Sequence, residues 1–248
     1  VWTSGAHFAD YGMVVARSDP SALKHKGLTY FFLDMKTPGV EAKPIKQISG
    51  SANFNEVFFN DVRIPDSQRL GAEGDGWKVA LTTLMNERLA VGDPPGLDFD
   101  QIFEATKEIE VEDGLAIKNS EVRQKMADWY VQSRGLQYTK YRSMTALSKG
   151  QTPGPELSIS KLVTASKMQE VSSYALDLMD MAGYVHHDKN PVMRNLFQNG
   201  YFFSAAMRIA GGTDEVLRNI IAERVLGLPQ DERPDKKVPF NELPSGKN

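Results

Sequence analysis

The chain has 248 residues, of which 41% are apolar and 25% are charged, and it contains no cysteine. This composition is typical of a soluble globular protein and excludes disordered, fibrous and disulfide-rich classes. The formal net charge of −3, without a long run of Lys or Arg, argues against nucleic acid as a partner. No apolar stretch approaches the ~20 residues of a membrane-spanning helix. The lack of cysteine excludes a thiolate metal site, and we predict no metal. It also fits a reducing compartment, the cytoplasm or, in a eukaryote, the mitochondrial matrix.

The first 74 residues have the pattern of a small β domain. Short runs rich in β-branched and aromatic residues occupy positions 12–16, 28–35 and 54–59. Turn signals separate them, such as Ser18-Asp19-Pro20 and Thr37-Pro38-Gly39. The chain therefore begins within β structure, and we place the end of this domain at residue 74.

Longer helical patterns take over near Gly76. We predict helices at about 75–91, 99–111, 120–148, 155–181, 191–209 and 214–226. Pro155 is suited to the first turn of one helix, Gly183 follows its end, and Thr213-Asp214 offers a capping oxygen to the last one. Short loops between helices of this length favour an antiparallel four-helix bundle over residues 75–227. Residues 228–248, rich in proline and alternating charge, are predicted to form an extended tail.

Glu87 lies in the first of these helices. It falls on the same helix stripe as its apolar neighbours Ala80, Leu84 and Val91. Partial burial would raise the proton affinity of this carboxylate and make it a general base for a weakly acidic C–H bond. The alternative is that Glu87 turns off the stripe and pairs locally or meets water.

Two further segments combine residue types that suit a ligand. Trp2-Thr3-Ser4 places an aromatic face beside two hydroxyl groups, and Gly211-Gly212 between two helices would let a ligand approach the backbone closely. Each also has a plain structural interpretation, since a tryptophan beside a strand is usually core and paired glycines usually form a hinge.

Together these segments resemble the acyl-CoA dehydrogenase family over essentially the whole chain. The motifs that carry the resemblance are Val1-Trp2-Thr3-Ser4-Gly5, 53–65 (NFNEVFFNDVRIP), 71–77 (GAEGDGW), Asn86-Glu87-Arg88-Leu89, 211–215 (GGTDE) and 218–227 (RNIIAERVLG). Family members have an N-terminal helical domain, a middle β domain and a C-terminal four-helix bundle, and they bind FAD. The resemblance implies an α+β fold: residues 1–74 as the second half of the middle domain, residues 75–227 as the bundle, and the N-terminal helical domain outside the given chain.

The resemblance also implies an activity and a catalytic base. In the family a carboxylate removes the α-proton of an acyl-CoA thioester while the β-hydride passes to flavin N5, giving the trans-2-enoyl product. Most members carry this glutamate just before the Gly-Thr of the last connection, where this chain has Gly211. A second branch, acting on branched or long acyl chains, places it on the first bundle helix, where Glu-Arg-Leu matches Glu87-Arg88-Leu89. Glu87 is thus the implied base, and the small Ala210 and Gly211 suggest a roomy pocket for branched or polycyclic acyl groups.

The remaining site residues follow from the same resemblance. Arg88 would help place the CoA part of the substrate, although Met85 stands where the best-known members have an acidic residue. Gly211 and Gly212 would meet the substrate, the former through its N–H to the thioester oxygen. The flavin contacts implied by the resemblance are Trp2, Thr3, Ser4, Gly183, Thr213 and Glu215.

Two family motifs for flavin contact across a subunit interface are altered. The Arg-x-x-Phe-Gly stretch has no counterpart in residues 108–114, and Gln-x-x-Gly-Gly reads Met179-Asp180-Met181-Ala182-Gly183. Arg123 is one candidate to replace the missing cation, and a second type of subunit is another.

Three hypotheses for function and assembly remain open at this stage. The first is an active dehydrogenase that passes electrons to electron-transfer flavoprotein, as a homodimer, homotetramer or hetero-oligomer, in fatty acid β-oxidation. The second is an FAD-poor partner subunit of a heteromeric acyl-CoA dehydrogenase. The third is an acyl-CoA oxidase or flavin monooxygenase on the same fold.

Overall fold

The structure, a computed structural model, describes residues 1–90, 97–151, 154, 157–185 and 192–244. The side chains of residues 85–90, 157 and 234 lie outside this description. The chain divides into two compact units. Unit 1 comprises residues 1–92 and 231–248, and unit 2 comprises residues 93–230.

Unit 1 is built on two three-stranded antiparallel sheets. One has the order β1-β5-β4, from Thr3–Ser4, Phe54–Phe59 and Val40–Ile45. The other has the order β2-β3-β6, from Tyr11–Arg17, Leu28–Asp34 and Arg69–Leu70. The predicted strands agree with β2, β3 and β5 within one or two residues.

Strand β4 was not predicted from its sequence. It alternates Glu41 and Lys43 with apolar residues and contains Pro44, which cannot donate a backbone hydrogen bond. A proline is tolerated in a strand at the edge of a sheet, where its missing N–H faces no partner strand. Because β4 pairs with β5 on one side only, it is such an edge strand.

Helix α1 (Gly76–Ala90) packs against β3 within unit 1. A Cβ atom at Gly76 would lie 2.7 Å from the Leu28 carbonyl oxygen, so glycine permits this close start. The strands end at Leu70 and α1 begins at Gly76, as expected, but α1 clusters with the strands and not with the other helices. The predicted domain boundary between residues 74 and 75 stays a prediction.

Unit 2 is a helical unit. Its helices are α2 (Phe99–Thr106), α3 (Ser120–Ser148), α4 (Leu157–Leu178), α5 (Met181–Tyr184), α6 (Val192–Met207) and α7 (Asp214–Ile220). A π-helical turn, Ile221–Val225, continues α7. Side chains from α2, α3, α4 and α6 share one apolar core, which includes Ile102, Trp129, Val171 and Phe197. The predicted α+β fold, a β domain followed by a helical bundle, is therefore confirmed.

The helix predicted over residues 99–111 ends early, at Thr106. The Thr106 side-chain hydroxyl donates to the Phe103 carbonyl oxygen at 2.8 Å, and the chain then turns into a hairpin. Its strands are β7 (Glu110–Val111) and β8 (Gly114–Leu115), and Gly114 supplies the positive φ of +108°. The prediction was wrong there because a short apolar run does not distinguish a helix from a strand.

A buried lysine joins three helices of unit 2. Lys167 of α4 is only 1% exposed, and its Nζ donates to Asp98 Oδ1 at 2.6 Å and to Ser133 Oγ at 2.8 Å. Asp98 also caps α2 by accepting from the Phe99 N–H. A buried ammonium group must be paired, so this cluster fixes the start of α2 relative to α3 and α4.

The C-terminal segment, predicted to be extended, docks on residues 17–24 of unit 1. Two 3-10 turns, Pro234–Lys237 and Phe240–Glu242, place Asp235 in an ion pair with Lys24. The Arg17 guanidinium lies 3.7 Å from the centroid of the Phe240 ring. The Asn241 N–H donates to the Pro20 carbonyl oxygen at 3.0 Å. Side-chain and backbone contacts thus join the two ends of this unit.

Among the described helices, none combines the length and apolar character needed to cross a membrane. Within the same described residues, no group of three or more acidic or histidine side chains is arranged to hold a metal ion.

Candidate functional site

The segment Trp2-Thr3-Ser4 forms an exposed sheet edge in unit 1. Strand β1 pairs with β5, opposing Thr3 to Asn55 and Ser4 to Phe54. The Trp2 side chain is 62% exposed and meets the Phe54 ring edge-on at 6.0 Å. Trp2 also has a φ of +65°, which is rare for a bulky residue and marks local strain. The alternative that Trp2 is a core residue is wrong.

A buried asparagine holds this edge in place. Asn55 is fully buried, and its Nδ2 donates to the Thr3 carbonyl oxygen at 3.0 Å. Its Oδ1 lies 2.9 Å from His7 Nδ1. An amide buried in this way orients the backbone of β1 and leaves the Thr3 and Ser4 side chains exposed. We did not single out Asn55 from the sequence, since only strand pairing reveals its partner 52 residues away.

The implied base and its neighbour fall on α1. The backbone of Glu87 and Arg88 is helical, as predicted, but their side chains lie outside the described residues. The part of α1 that is described packs on the strands: the Tyr30 hydroxyl donates to Thr83 Oγ1 at 3.5 Å. The role of Glu87 as base and of Arg88 as a substrate contact stays a prediction.

The paired glycines form a tight loop in unit 2, between α6 and α7. Gly211 has a φ of +66° and Gly212 a φ of +107°, both in the left-handed region that favours glycine. A Cβ atom at Gly211 would meet no described atom within 4 Å. The loop therefore leaves open space where most of the family that this chain resembles carries a glutamate side chain.

The loop ends at a helix cap. Thr213 Oγ1 accepts a hydrogen bond from the Val216 N–H at 3.3 Å, as predicted for the start of α7. Glu215 is exposed, and hydrogen bonds from its own backbone N–H and from Thr213 lower the pKa of its carboxyl group. Thr213 and Glu215, both implied flavin contacts, are thus neighbours on one loop.

Asp214, between them, points inward. It is 2% exposed, and its Oδ2 accepts from Arg208 Nε at 2.7 Å. Its Oδ1 accepts no hydrogen bond from any described residue, and Lys161 Nζ lies 3.9 Å from it. The sequence predicted only that Thr213-Asp214 would cap the last helix, and it gave Arg208 no role, although opposite charges on either side of a glycine pair were a usable signal.

Lys161 of α4 was not foreseen at all. Its Nζ donates to the Gly212 carbonyl oxygen at 2.7 Å. Burial lowers the pKa of Lys161, an effect that the nearby Asp214 carboxylate opposes and the Arg208 guanidinium reinforces. Only tertiary structure brings this side chain to the loop, because 51 residues separate Lys161 from Gly212.

Gly183 lies at the other end of α4 from this loop. It is buried in α5, where a Cβ atom would be 2.3 Å from the Leu176 carbonyl oxygen. Leu176 and Lys161 are separated by about 22 Å along α4 at about 1.5 Å per residue. The structure therefore does not bring Gly183 to the glycine loop within one chain.

A cavity of about 280 Å³ opens beside Gly183. The side chains that line it include Tyr184, Tyr201 and Phe202. Gln198, also in the lining, donates from Nε2 to the Gly183 carbonyl oxygen at 2.7 Å. This face of unit 2 thus offers aromatic surface to a ligand.

Comparison with known proteins gives the family. Residues 74–226 match the family described as "Acyl-CoA dehydrogenase, C-terminal domain". The acyl-CoA dehydrogenase IpdE1 of Mycolicibacterium smegmatis is 37% identical over 235 residues, covering 93% of this chain and 57% of that protein. The acyl-CoA dehydrogenase FadE34 of Mycobacterium tuberculosis is 34% identical over 232 residues, covering 93% of this chain and 30% of that protein.

Solved structures share the fold. The structure titled "Tcur3481-Tcur3483 steroid ACAD" matches with a TM-score of 0.78 and 22% identity over 93% of this chain and 60% of that one. The ChsE4-ChsE5 complex from Mycobacterium tuberculosis matches with a TM-score of 0.75 and 21% identity, again over 93% and 60%. The chain spans 57% of IpdE1 and 30% of FadE34. It belongs to the acyl-CoA dehydrogenase family.

Proposed function

We propose that this chain forms part of an FAD-dependent acyl-CoA dehydrogenase that converts an acyl-CoA thioester to its trans-2-enoyl-CoA. The observation that carries the proposal is the β1 edge, where an exposed Trp2 ring lies beside the exposed Thr3 and Ser4 side chains. An aromatic face suits a planar ring system, and adjacent hydroxyl groups suit its polar edge.

The residues present fit FAD. The strained, exposed Trp2 would stack on the flavin ring, and Thr3 and Ser4 would supply hydrogen bonds to it. The glycine loop, with open space at Gly211, would let an adenosine or thioester group approach the backbone beside Thr213 and Glu215. When bound, FAD would supply the acceptor for the hydride that leaves the β-carbon.

The chain's own residues would accept the α-proton and stabilise the negative charge that develops on the thioester oxygen. Glu87 would take the α-proton and become a neutral carboxylic acid, leaving the C–H electron pair to delocalise onto the thioester oxygen. The Gly211 N–H would stabilise the negative charge that develops on this oxygen. Arg88 would orient the CoA part, and Gly212 would leave room for the thioester.

The acyl group is proposed to be bulky. Gly211 leaves open space among the described residues, and Ala210 next to it is small and exposed. A branched or polycyclic acyl chain would use this space. The structure of similar fold named "Tcur3481-Tcur3483 steroid ACAD" makes a polycyclic acyl-CoA a sensible first compound to test.

The base is tested by Glu87→Gln in the full-length protein. Mixed anaerobically with acyl-CoA thioesters of graded length and branching, the unmutated protein should bleach its flavin absorbance near 450 nm. The variant should bind acyl-CoA but bleach at least about 1,000-fold more slowly, because glutamine cannot accept the α-proton.

Glu104→Gln is the matched control. Glu104 is an exposed glutamate of α2 paired with Lys107, and its loss should leave bleaching unchanged. Bleaching by Glu87→Gln at close to the unmutated rate would move the base elsewhere. Absence of bound flavin in the unmutated protein would contradict the proposed function itself.

A second function is supported by the β7–β8 hairpin. The segment that corresponds to the family's arginine motif carries four acidic residues, Glu108, Glu110, Glu112 and Asp113. An acidic hairpin repels a pyrophosphate group. The chain would then be an FAD-poor partner in a mixed oligomer, because neither copy of a homodimer would supply the missing cation to the other copy's flavin.

The assembly and the electron acceptor are tested together. Purification with a paralogous subunit, and less than one FAD per chain, would favour the partner role over a homodimer or homotetramer. Reoxidation by electron-transfer flavoprotein would support a dehydrogenase. Rapid peroxide formation in air without an acceptor would instead indicate an acyl-CoA oxidase or a flavin monooxygenase.

A further inference from the structure

We propose that Lys161, Arg208 and Asp214 form a positioning network that holds the glycine loop, residues 211–213, in one conformation. The network itself is visible in unit 2. Its importance for catalysis rests on the proposed function, in which this loop meets the flavin and the thioester.

The loop needs an external anchor. Gly211 and Gly212 both have positive φ, and glycine gains more conformational freedom on release than any other residue. A Cβ atom at Gly211 would meet no described atom within 4 Å, so the loop has open space on that side. In the proposed network, hydrogen bonds at the ends of the loop and at the Gly212 carbonyl oxygen fix its conformation.

Lys161 supplies the first anchor. Its ammonium group donates to the Gly212 carbonyl oxygen at 2.7 Å, and its side chain is 20% exposed. A charged donor to a carbonyl, largely removed from water, is stronger than a neutral hydrogen bond. Because Lys161 belongs to α4, it ties the middle of the loop to the longest element of the shared core after α3.

Arg208 and Asp214 close the loop from its two flanks. The Asp214 N–H donates to the Arg208 carbonyl oxygen at 3.2 Å, and the side chains pair at 2.7 Å. Arg208 Nη1 also donates to Gln169 Oε1 at 2.8 Å, a second tie to α4. A buried carboxylate is costly unless paired, so Asp214 holds both cations near the loop.

The network would act on catalysis through the position of the loop backbone. None of its three side chains is placed on the reacting atoms by the proposed function. A displacement of about 1 Å at the Gly211 N–H would weaken its bond to the thioester oxygen, and misplacement of this size lowers rates by about 100-fold.

The test uses Lys161→Met and Arg208→Met in the full-length protein, singly and together. Hydrogen exchange of the 208–217 segment is measured first, without substrate. Each single variant should exchange about 10- to 100-fold faster there, the factor expected for losing one charged hydrogen bond. The double variant should depart from the product of the two factors, because both cations lie against the same Asp214 carboxylate and their effects are therefore coupled.

Lys125→Met is the matched control. Lys125 is an exposed lysine of α3 in the same unit, and its loss should leave exchange in segment 208–217 unchanged. Flavin reduction by acyl-CoA, measured on the same proteins, should slow about 10- to 100-fold in the single variants, with a smaller change in the substrate concentration at half-saturation.

Three results would overturn the inference. They are unchanged exchange in segment 208–217, faster exchange spread evenly over α4 and α6, and single-variant factors that multiply in the double variant. The second would mean that Lys161 and Arg208 only stabilise the unit. If the unmutated protein shows no flavin reduction, the proposed function fails, while the exchange comparison still decides whether the network holds the loop.

Discussion

Gly183→Ala is expected to destabilise unit 2, although alanine ordinarily favours a helix. The added Cβ would lie 2.3 Å from the Leu176 carbonyl oxygen, 3.0 Å from its carbonyl carbon and 3.1 Å from its Cα. All three atoms belong to the backbone of α4, so no side-chain rotation relieves the contact. Helix α5 must move away from α4, and the Gln198 bond to the Gly183 carbonyl oxygen stretches with it.

The size of the effect follows from two opposing terms. Overpacking of this kind costs about 2–3 kcal/mol. Replacing glycine within a helix returns about 0.5–1 kcal/mol. The net loss of about 2 kcal/mol corresponds to a fall in Tm of about 4–8 °C for a protein of this size.

Gly135→Ala makes the same chemical change at a site without the clash. Gly135 is exposed within α3, and a Cβ there meets no described atom within 4 Å. This variant should raise stability by about 0.5–1 kcal/mol. Both variants are compared with the unmutated protein by thermal and urea denaturation, followed by circular dichroism at 222 nm.

The critical result is that the two substitutions change the free energy of unfolding in opposite directions. Equal stabilisation by the two substitutions would show that α5 accommodates a methyl group without moving. The close approach of Gly183 to α4 would then not be what requires glycine at this position.

Three further predictions concern strain, charge and the tail. Asp180, at φ +49° and ψ −140°, occupies a conformation that strongly favours glycine. Asp180→Gly should therefore raise the free energy of unfolding, measured by urea denaturation, by about 1 kcal/mol. A lower free energy of unfolding would argue against backbone strain at this position. Burial raises the pKa of the Asp98 carboxyl, but hydrogen bonds from Lys167, Ser133 and the Phe99 N–H outweigh it, leaving the pKa below its ordinary 3.8. Its stabilising charge is therefore present above pH ~4 and lost below. Asp98→Asn keeps the cap and should lower the free energy of unfolding by about 1–2 kcal/mol at pH 7, less than for a fully buried pair because Asp98 is half-exposed. The difference in free energy of unfolding between variant and unmutated protein should narrow as the pH falls below about 4. A difference that does not change with pH would exclude the charge as the cause. Phe240→Ala removes the aromatic ring that contacts the Arg17 guanidinium and should speed proteolysis within residues 231–243 several-fold. An unchanged cleavage rate would mean that the backbone hydrogen bonds of this segment are sufficient to hold it on unit 1.

The sequence by itself predicted those features that depend on neighbours along the chain. Helix α3 has the predicted bounds, Ser120–Ser148, because its cap and its helical spacing are local. The Thr213 cap and strand β5 follow for the same reason. The family was recognisable from ordered motifs, of which the Glu87 and Trp2 segments were the most informative.

Tertiary structure decided the features that depend on residues far apart in the chain. Strand β4 is paired with β5 despite its unfavourable sequence, and the 99–111 pattern breaks into α2 and a hairpin whose Ile109 and Val111 still pack against the core. The docking of the C-terminal segment depends on contacts with Arg17 and Lys24 more than two hundred residues earlier.

The candidate site shows the same division. Which residue types carry the chemistry could be inferred from Trp2, Thr213 and the glycine pair, since each motif is contiguous. What holds those motifs in place is set by Asn55 and Lys161, whose partners lie 52 and 51 residues away. A buried polar side chain finds its hydrogen-bond partner only when the chain folds back on itself, and no local pattern specifies that partner.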